Sequence, residues 1–366
     1  MTAIRFIAGC MLFLVVDLAQ AQDVPRYRVD PAWPKPLPNN WIIGQVSGMA
    51  VDREGRIWVL HRPRTVTADE AWAAQKPPRA ECCIPAPSVL VFDVDGNLLK
   101  SWGGPRHVPE WPVSEHGIFV DRQGNVWLAG SGDGDTVLKF TNDGNLLLLQ
   151  IGLRTSAQQV QNNQDAAPGR TAGMEVDDSA REVYLADGYL NRRVVVYDSE
   201  TGEFKRGWGA YGIALSEIDN DPPPPYDPSA APLKQFRNPV HCARLSADGL
   251  LYVCDRSSNR IQVFTRQGKF VRELFVARET LERGAAGTVN FSTDPQQKYL
   301  LVGDIMNNVV WILNRSDGAV AGRFGGHGRG AGQFHWLHVI AMDARGNLYT
   351  GEVDTGRRIQ KFVLVK

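Results

Sequence analysis

Short runs of alternating apolar and polar residues recur along the chain, and no long window carries a 3.6-residue apolar period. The stretch Ser114 to Ala129, SEHGIFVDRQGNVWLA, is representative. Its alternation predicts two strands joined by a turn at Arg122 to Gly124, a single β-hairpin. The same hairpin returns as VSGMAVDREGRIWVLH from Val46, TAGMEVDDSAREVYLAD from Thr171, VHCARLSADGLLYVCD from Val240, GAAGTVNF from Gly284 and LHVIAMDARGNLYTGE from Leu337. A third strand follows each one: SVLVFD, TVLKF, RVVVYD, RIQVF, NVVWIL and RIQKFVL. The first five units add a glycine turn and a fourth strand, as in GNLLKSWG and GKFVRELF.

Six units of roughly 40 to 50 residues, four strands each, predict an all-β fold, a six-bladed β-propeller. The units begin near residues 46, 114, 170, 239, 285 and 336. The sixth ends after its third strand, so a strand at Tyr27 to Asp30 is expected to close the last blade. The domain reading is therefore 1–21 as a leader, 22–45 as an N-terminal segment with the closing strand, and 46–366 as the propeller. Two stretches interrupt the repeat, Arg64 to Pro87 and Ile218 to Pro232. Both are expected on the surface or around the channel mouth.

One position of the repeat carries chemistry. In chain order it reads Ser47, His116, Ala172, His241, Ala286, His338. The first strand of a propeller blade lines the central channel, so alternate blades would point His116, His241 and His338 at one spot about 120° apart. Three imidazoles with an open fourth direction suit a catalytic zinc ion. The alternative is three structural, hydrogen-bonded histidines. His61, His107, His327 and His335 fall out of register and are expected in loops or on the surface. Residues just past the second strand should flank the histidines: His61-Arg62, Asp187-Gly188-Tyr189 and Asp255-Arg256. A tyrosine there can act as a general base, and arginine can grip a carboxylate with two hydrogen bonds.

Composition and charge change the picture little. Formal net charge is zero over 366 residues, which favours no nucleic-acid partner and no acidic membrane surface. Arg5, the apolar run Phe6 to Val16 and Ala19-Gln20-Ala21 read as a secretory signal peptide cut before Gln22. The mature protein is then expected to be secreted or periplasmic, free of the membrane after cleavage, with disulfides permitted. Nothing signals oligomerisation, so a monomer is expected. Cys82, Cys83, Cys242 and Cys254 allow three pairings. A three-residue turn at Ala247 to Gly249 would set Cys242 opposite Cys254, where they either bridge or pack.

The blade pattern resembles the NHL-repeat propellers. The chain also resembles, more sharply, the peptidyl-α-hydroxyglycine α-amidating lyases. EHGIFVD, VHCARLS and LHVIAM match that family's three zinc-ligand motifs, DGYLNRRVV its tyrosine segment, and CDRSSNRIQVF its second arginine segment. The resemblance implies zinc on His116, His241 and His338, a catalytic Tyr189, and substrate-facing Arg62 and Arg256. It implies a carboxylate-bearing small molecule or peptide as substrate, split at a C–N bond into an amide and glyoxylate. It also implies a structural calcium, but the acid that follows the third histidine in the family is Val339 here. Carbonyls near Met49 and Ile118 remain for that ion. Trp336 replaces a methionine and Leu190 a cysteine of the family pattern. Two other functions fit the same residues: a zinc hydrolase or lactonase, and a non-catalytic propeller that binds a peptide, glycan or protein.

Overall fold

The computed structural model describes residues 24–153, 159–162 and 167–365. The expected signal peptide lies outside the described residues. No helix among them is long and apolar enough to cross a membrane.

Six antiparallel four-stranded sheets make the propeller. Their innermost strands are Gln45–Val51, Glu115–Val120, Gly173–Asp177, Val240–Leu245, Thr288–Phe291 and Leu337–Met342. The outermost strand of the sixth blade is Arg26–Asp30, which pairs with Ile359–Val365. The predicted closure by an N-terminal strand is thus present, and it ties the first residues of the ring to its last.

No central core forms, because the channel edge of each sheet faces the axis. Apolar side chains instead fill six clusters, one between each pair of neighbouring blades. Trp58, Trp127, Tyr184, Tyr252 and Tyr349 are each almost fully buried in this way. Trp58, Trp127 and Tyr349 are each second in their strand, and a local reason fixes them there. In the blade-2 turn Asp121 accepts from the backbone N–H of Gln123 and Asn125 with one oxygen. Its other oxygen takes the Trp127 indole N–H at 3.1 Å. Asp52 with Trp58 and Asp343 with Tyr349 repeat the arrangement. Gly124, in the left-handed region at φ 84°, completes the tight turn. One carboxylate thereby ties hairpin turn to inter-blade packing, which explains the recurring D-x-x-G-x-x-W/Y pattern.

The segment Arg64 to Pro87 leaves the first blade between its second and third strands and adds a small parallel pair, Trp41–Ile42 with Ile84–Pro85. Cys82 and Cys83 are joined within it, and Cys242 is joined to its cross-strand partner Cys254. Of the two readings open for Cys242 and Cys254, the structure has the bridge.

His61 corrects an expectation. It is fully buried, not a loop or surface residue. Its Nδ1 accepts from the Gly44 N–H at 3.1 Å, and its Nε2 lies 2.9 Å from the Pro87 carbonyl, to which it donates. It therefore ties the N-terminal segment at Gly44 to the end of the first-blade insertion at Pro87. Burial lowers its pKa to about 4. The unfolded chain takes up a proton near 6.5. Its contribution to stability is thus complete above pH 6.5 and is lost as pH falls toward 4. His61→Gln is expected to cost about 1–3 kcal/mol at pH 7.5. Urea titrations at pH 7.5 and 5 should also show a smaller acid loss in the variant than in the parent. An equal acid loss would refute the role.

Candidate metal centre and channel mouth

A local backbone irregularity aims each histidine. In the first hairpin of blades 2, 4 and 6 the pairing register slips at one residue, and that residue is His116, His241 or His338. Ser47 sits at the same slip in blade 1. Such a bulge turns a side chain that would lie between sheets toward the axis. In blades 3 and 5 the inner strand starts only at Gly173 and Thr288, and the preceding carbonyls face the channel instead.

Those carbonyls orient the rings. His116 Nδ1 donates to the Ala172 carbonyl at 2.6 Å, and His241 Nδ1 donates to the Gly287 carbonyl at 2.6 Å. The residue equivalent to Ala172 in blade 5 is therefore Gly287, one position beyond Ala286. With Nδ1 protonated, Nε2 of each ring holds its lone pair toward the centre. His338 Nδ1 is buried and has no hydrogen-bond partner. The three rings are buried, their centroids 4.9 to 5.2 Å apart, with ligand-capable atoms within 4.8 Å of one another.

Burial is the first cause that keeps all three imidazoles neutral, lowering His241 to about 3 and the other two well below the usual range. Neighbouring imidazoles and the Arg62 and Arg256 guanidiniums push the same way. Neutral rings with inward lone pairs are the donor form a metal requires. These three residues can hold a metal ion.

Tyr189, Arg62 and Arg256 come to the same place. The Tyr189 hydroxyl lies 2.9 Å from His116 Nε2, 3.2 Å from His241 Nε2 and 3.3 Å from Arg256 Nη1. Two buried ion pairs set the loops that carry it and Arg256. Asp187 binds Arg193 at 2.8 Å across the loop holding Tyr189, and Asp255 binds Arg260 at 2.9 Å across the loop holding Arg256. All four of those side chains are at most 1 % exposed. Asp187 and Asp255 were expected beside the histidines and instead face away, locking these loops. Arg62 is held by the Glu115 carbonyl at 2.7 Å and the Gln45 amide oxygen at 3.0 Å. Among the described residues neither Arg62 nor Arg256 has an acidic ion-pair partner. Two guanidiniums thus face the mouth with charge to spare for an anion.

Other residues at the site gave no sequence signal strong enough to single them out. Glu115 is buried next to His116 and binds Arg64, the Ser88 hydroxyl and the Trp111 indole N–H. Its place before a histidine was the available clue. Below the histidines, Arg244 lines the same cavity, 3.1 Å from Glu175 and 3.2 Å from the Asn290 amide oxygen. Burial raises Glu175 to about 7. Among the described residues Glu175 is spent on Arg244, and Val339 supplies no carboxylate. The channel residues therefore do not suit a calcium ion. His107 is half-buried against the Gly144 carbonyl, while His327 and His335 lie near the surface, 5.3 Å apart.

No family model matches the chain. It is 28% identical over 339 residues to peptidyl-glycine alpha-amidating monooxygenase B of Xenopus laevis, covering 90% of this chain and 35% of the relative. It is 22% identical over 225 residues to a probable peptidyl-alpha-hydroxyglycine alpha-amidating lyase of Caenorhabditis elegans, covering 61% and 56%. NHL repeat-containing protein 3 of Mus musculus is 27% identical over 251 residues, covering 66% and 57%. The chain thus spans about a third of the length of the amidating monooxygenases it matches. A streptogramin B lyase structure superposes with a TM-score of 0.51 at 11% identity, covering 93% of this chain and 98% of that one, a likeness of fold. The chain is a six-bladed β-propeller that resembles the NHL-repeat proteins and the peptidyl-α-hydroxyglycine α-amidating lyases.

Proposed function

We propose that this protein is an exported, zinc-dependent lyase that splits a peptidyl-α-hydroxyglycine into a peptide amide and glyoxylate. The observation that carries the proposal is the Tyr189 hydroxyl within 3.3 Å of two candidate ligand nitrogens and one unneutralised guanidinium. Arg62 and Arg256 grip the substrate carboxylate and so place the adjacent α-hydroxyl beside Tyr189. The Tyr189 phenolate takes the hydroxyl proton. The oxygen's electron pair then closes the aldehyde C=O, the C–N bond breaks, and Tyr189 returns the proton to the leaving amide nitrogen. Atoms and charge balance without an oxidant or added water. His116, His241 and His338 would hold the zinc ion, whose chemistry is Lewis acidity toward a substrate oxygen. The fixed loops matter because no large rearrangement is then needed to assemble the groups.

The test is glyoxylate release by the purified mature protein from α-hydroxyhippurate and from an N-acetyl dipeptide ending in α-hydroxyglycine. Enantioselective, metal-dependent release of stoichiometric amide and glyoxylate is expected. Hydrolysis of simple lactones without glyoxylate release would replace this function with a metallohydrolase.

A further inference from the structure

Trp336 stands two residues before His338, in the left-handed region at φ 63°. A bulky aromatic residue adopts that conformation only when its surroundings impose it. Its backbone is fastened at both ends. The Trp336 N–H donates to the Asn308 side-chain oxygen at 2.7 Å, and its carbonyl accepts from the Val353 N–H at 3.0 Å. The indole is half-buried, and the Arg283 guanidinium carbon lies 4.7 Å from its ring centroid. Arg283 also pairs with Asp354 at 2.6 Å.

This pair reaches the mouth by two routes. The Arg283 carbonyl accepts from Arg256 Nε at 3.0 Å, on the guanidinium that also contacts Tyr189. Gly284 lies so close that a Cβ there would stand 2.0 Å from the Arg256 carbonyl oxygen. On the other side, Asp354 acts electrostatically on Arg62. Arg283, Trp336 and Asp354 therefore bridge blades 5 and 6 beside the two guanidiniums. No step of the reaction described above uses them.

We propose that Trp336 and Arg283 form a subsite for the substrate residue adjoining α-hydroxyglycine, on the side that leaves as the amide. The inference rests on the lyase function. With the carboxylate on Arg62 and Arg256, the peptide must extend away from the histidines and out of the mouth. The Arg283 backbone is bonded to Arg256, and the Arg283 side chain lies against the indole, so both adjoin the guanidinium that grips the carboxylate. A planar ring stiffened by a guanidinium and by a constrained backbone makes a flat wall. Arg283 is neutralised by Asp354, so the wall selects for shape and apolar area over charge. An aromatic neighbour is preferred to a small one.

The experiment compares kcat/KM for two N-acetyl dipeptides ending in α-hydroxyglycine, one with phenylalanine and one with alanine before it. The parent is expected to favour phenylalanine by roughly 10- to 100-fold. Trp336→Ala should lower that ratio about tenfold, and Trp336→Phe should restore most of it. Arg283→Met, which keeps the aliphatic stem, should lower it less. Melting temperatures identify any variant that fails to fold, and Arg283→Met then carries the test. An unchanged ratio in an active Trp336→Ala protein, or equal loss on both substrates, would overturn the subsite alone. No release from either substrate by the parent would overturn the lyase function and the subsite with it.

Discussion

A His116→Ala/His241→Ala protein is expected to bind no zinc and to lose glyoxylate release by about 10³-fold or more. The size follows from the several kcal/mol that a Lewis acid contributes, at 1.36 kcal/mol per tenfold in rate. The measurement is metal content per chain after dialysis, paired with kcat/KM. The parent should retain about one zinc per chain, the number a single cluster of three imidazoles accommodates. The double variant also loses two inter-blade hydrogen bonds, from His116 to Ala172 and from His241 to Gly287. A stability control is therefore part of the experiment. His338→Ala provides it, because His338 Nδ1 makes no hydrogen bond that the substitution removes. That single variant should lose zinc with little change in melting temperature of the metal-free protein. Full zinc retention by the double variant would show that the ion sits elsewhere and would remove the basis for the proposed chemistry.

The histidine set was legible because a propeller repeats its backbone, and a repeated bulge gives a repeated side-chain direction. The D-x-x-G turns at Asp52, Asp121 and Asp343 fix the register in three of the blades. Blade 5 has no such turn. Its hairpin closes at Asp294 to Lys298 with Gln297 at φ 48°, so nothing in its sequence calibrates the count. That is why the sequence pointed to Ala286 where the structure has Gly287. His61 was misjudged for a related reason. It stands next to Arg62 at the end of a strand, and it is bonded to Gly44 of the N-terminal segment and Pro87 at the end of the insertion, which only the folded chain brings to it. The Glu175–Arg244 pair joins residues of different blades, and no local pattern announces a contact of that kind.

Loop-bound Tyr189 and Arg256 were legible through motif resemblance, and the structure supplies the reason the motifs look as they do. In DGYLNRR the aspartate and the last arginine are Asp187 and Arg193, and in DRSSNR they are Asp255 and Arg260. Burying a paired charge is costly unless its geometry is fixed, and removing one partner costs more. These pairs are therefore poor sources of net stability but strict specifiers of loop shape. The intervening residues, Tyr189 and Arg256, are thereby delivered to one point from two blades.

Tyr189→Phe is the sharper test of mechanism. It removes one oxygen and leaves the ring, the loop ion pair and the histidine anchors in place. The ring centroid sits 4.8 Å from that of His116, a contact that phenylalanine keeps. Zinc content and melting temperature should therefore match the parent. Turnover should fall by roughly 10²- to 10⁴-fold, the range for loss of a positioned proton-transfer group. KM should change little, since the carboxylate is still held by Arg62 and Arg256. Arg256→Met should instead raise KM as one grip on the carboxylate is lost. It should also reduce kcat, because Arg256 Nη1 contacts the Tyr189 hydroxyl. Retention of the full rate by Tyr189→Phe would exclude this hydroxyl as the base. The pattern of kcat loss without zinc loss, set against the combined loss in the histidine variants, separates proton transfer from metal holding within one site.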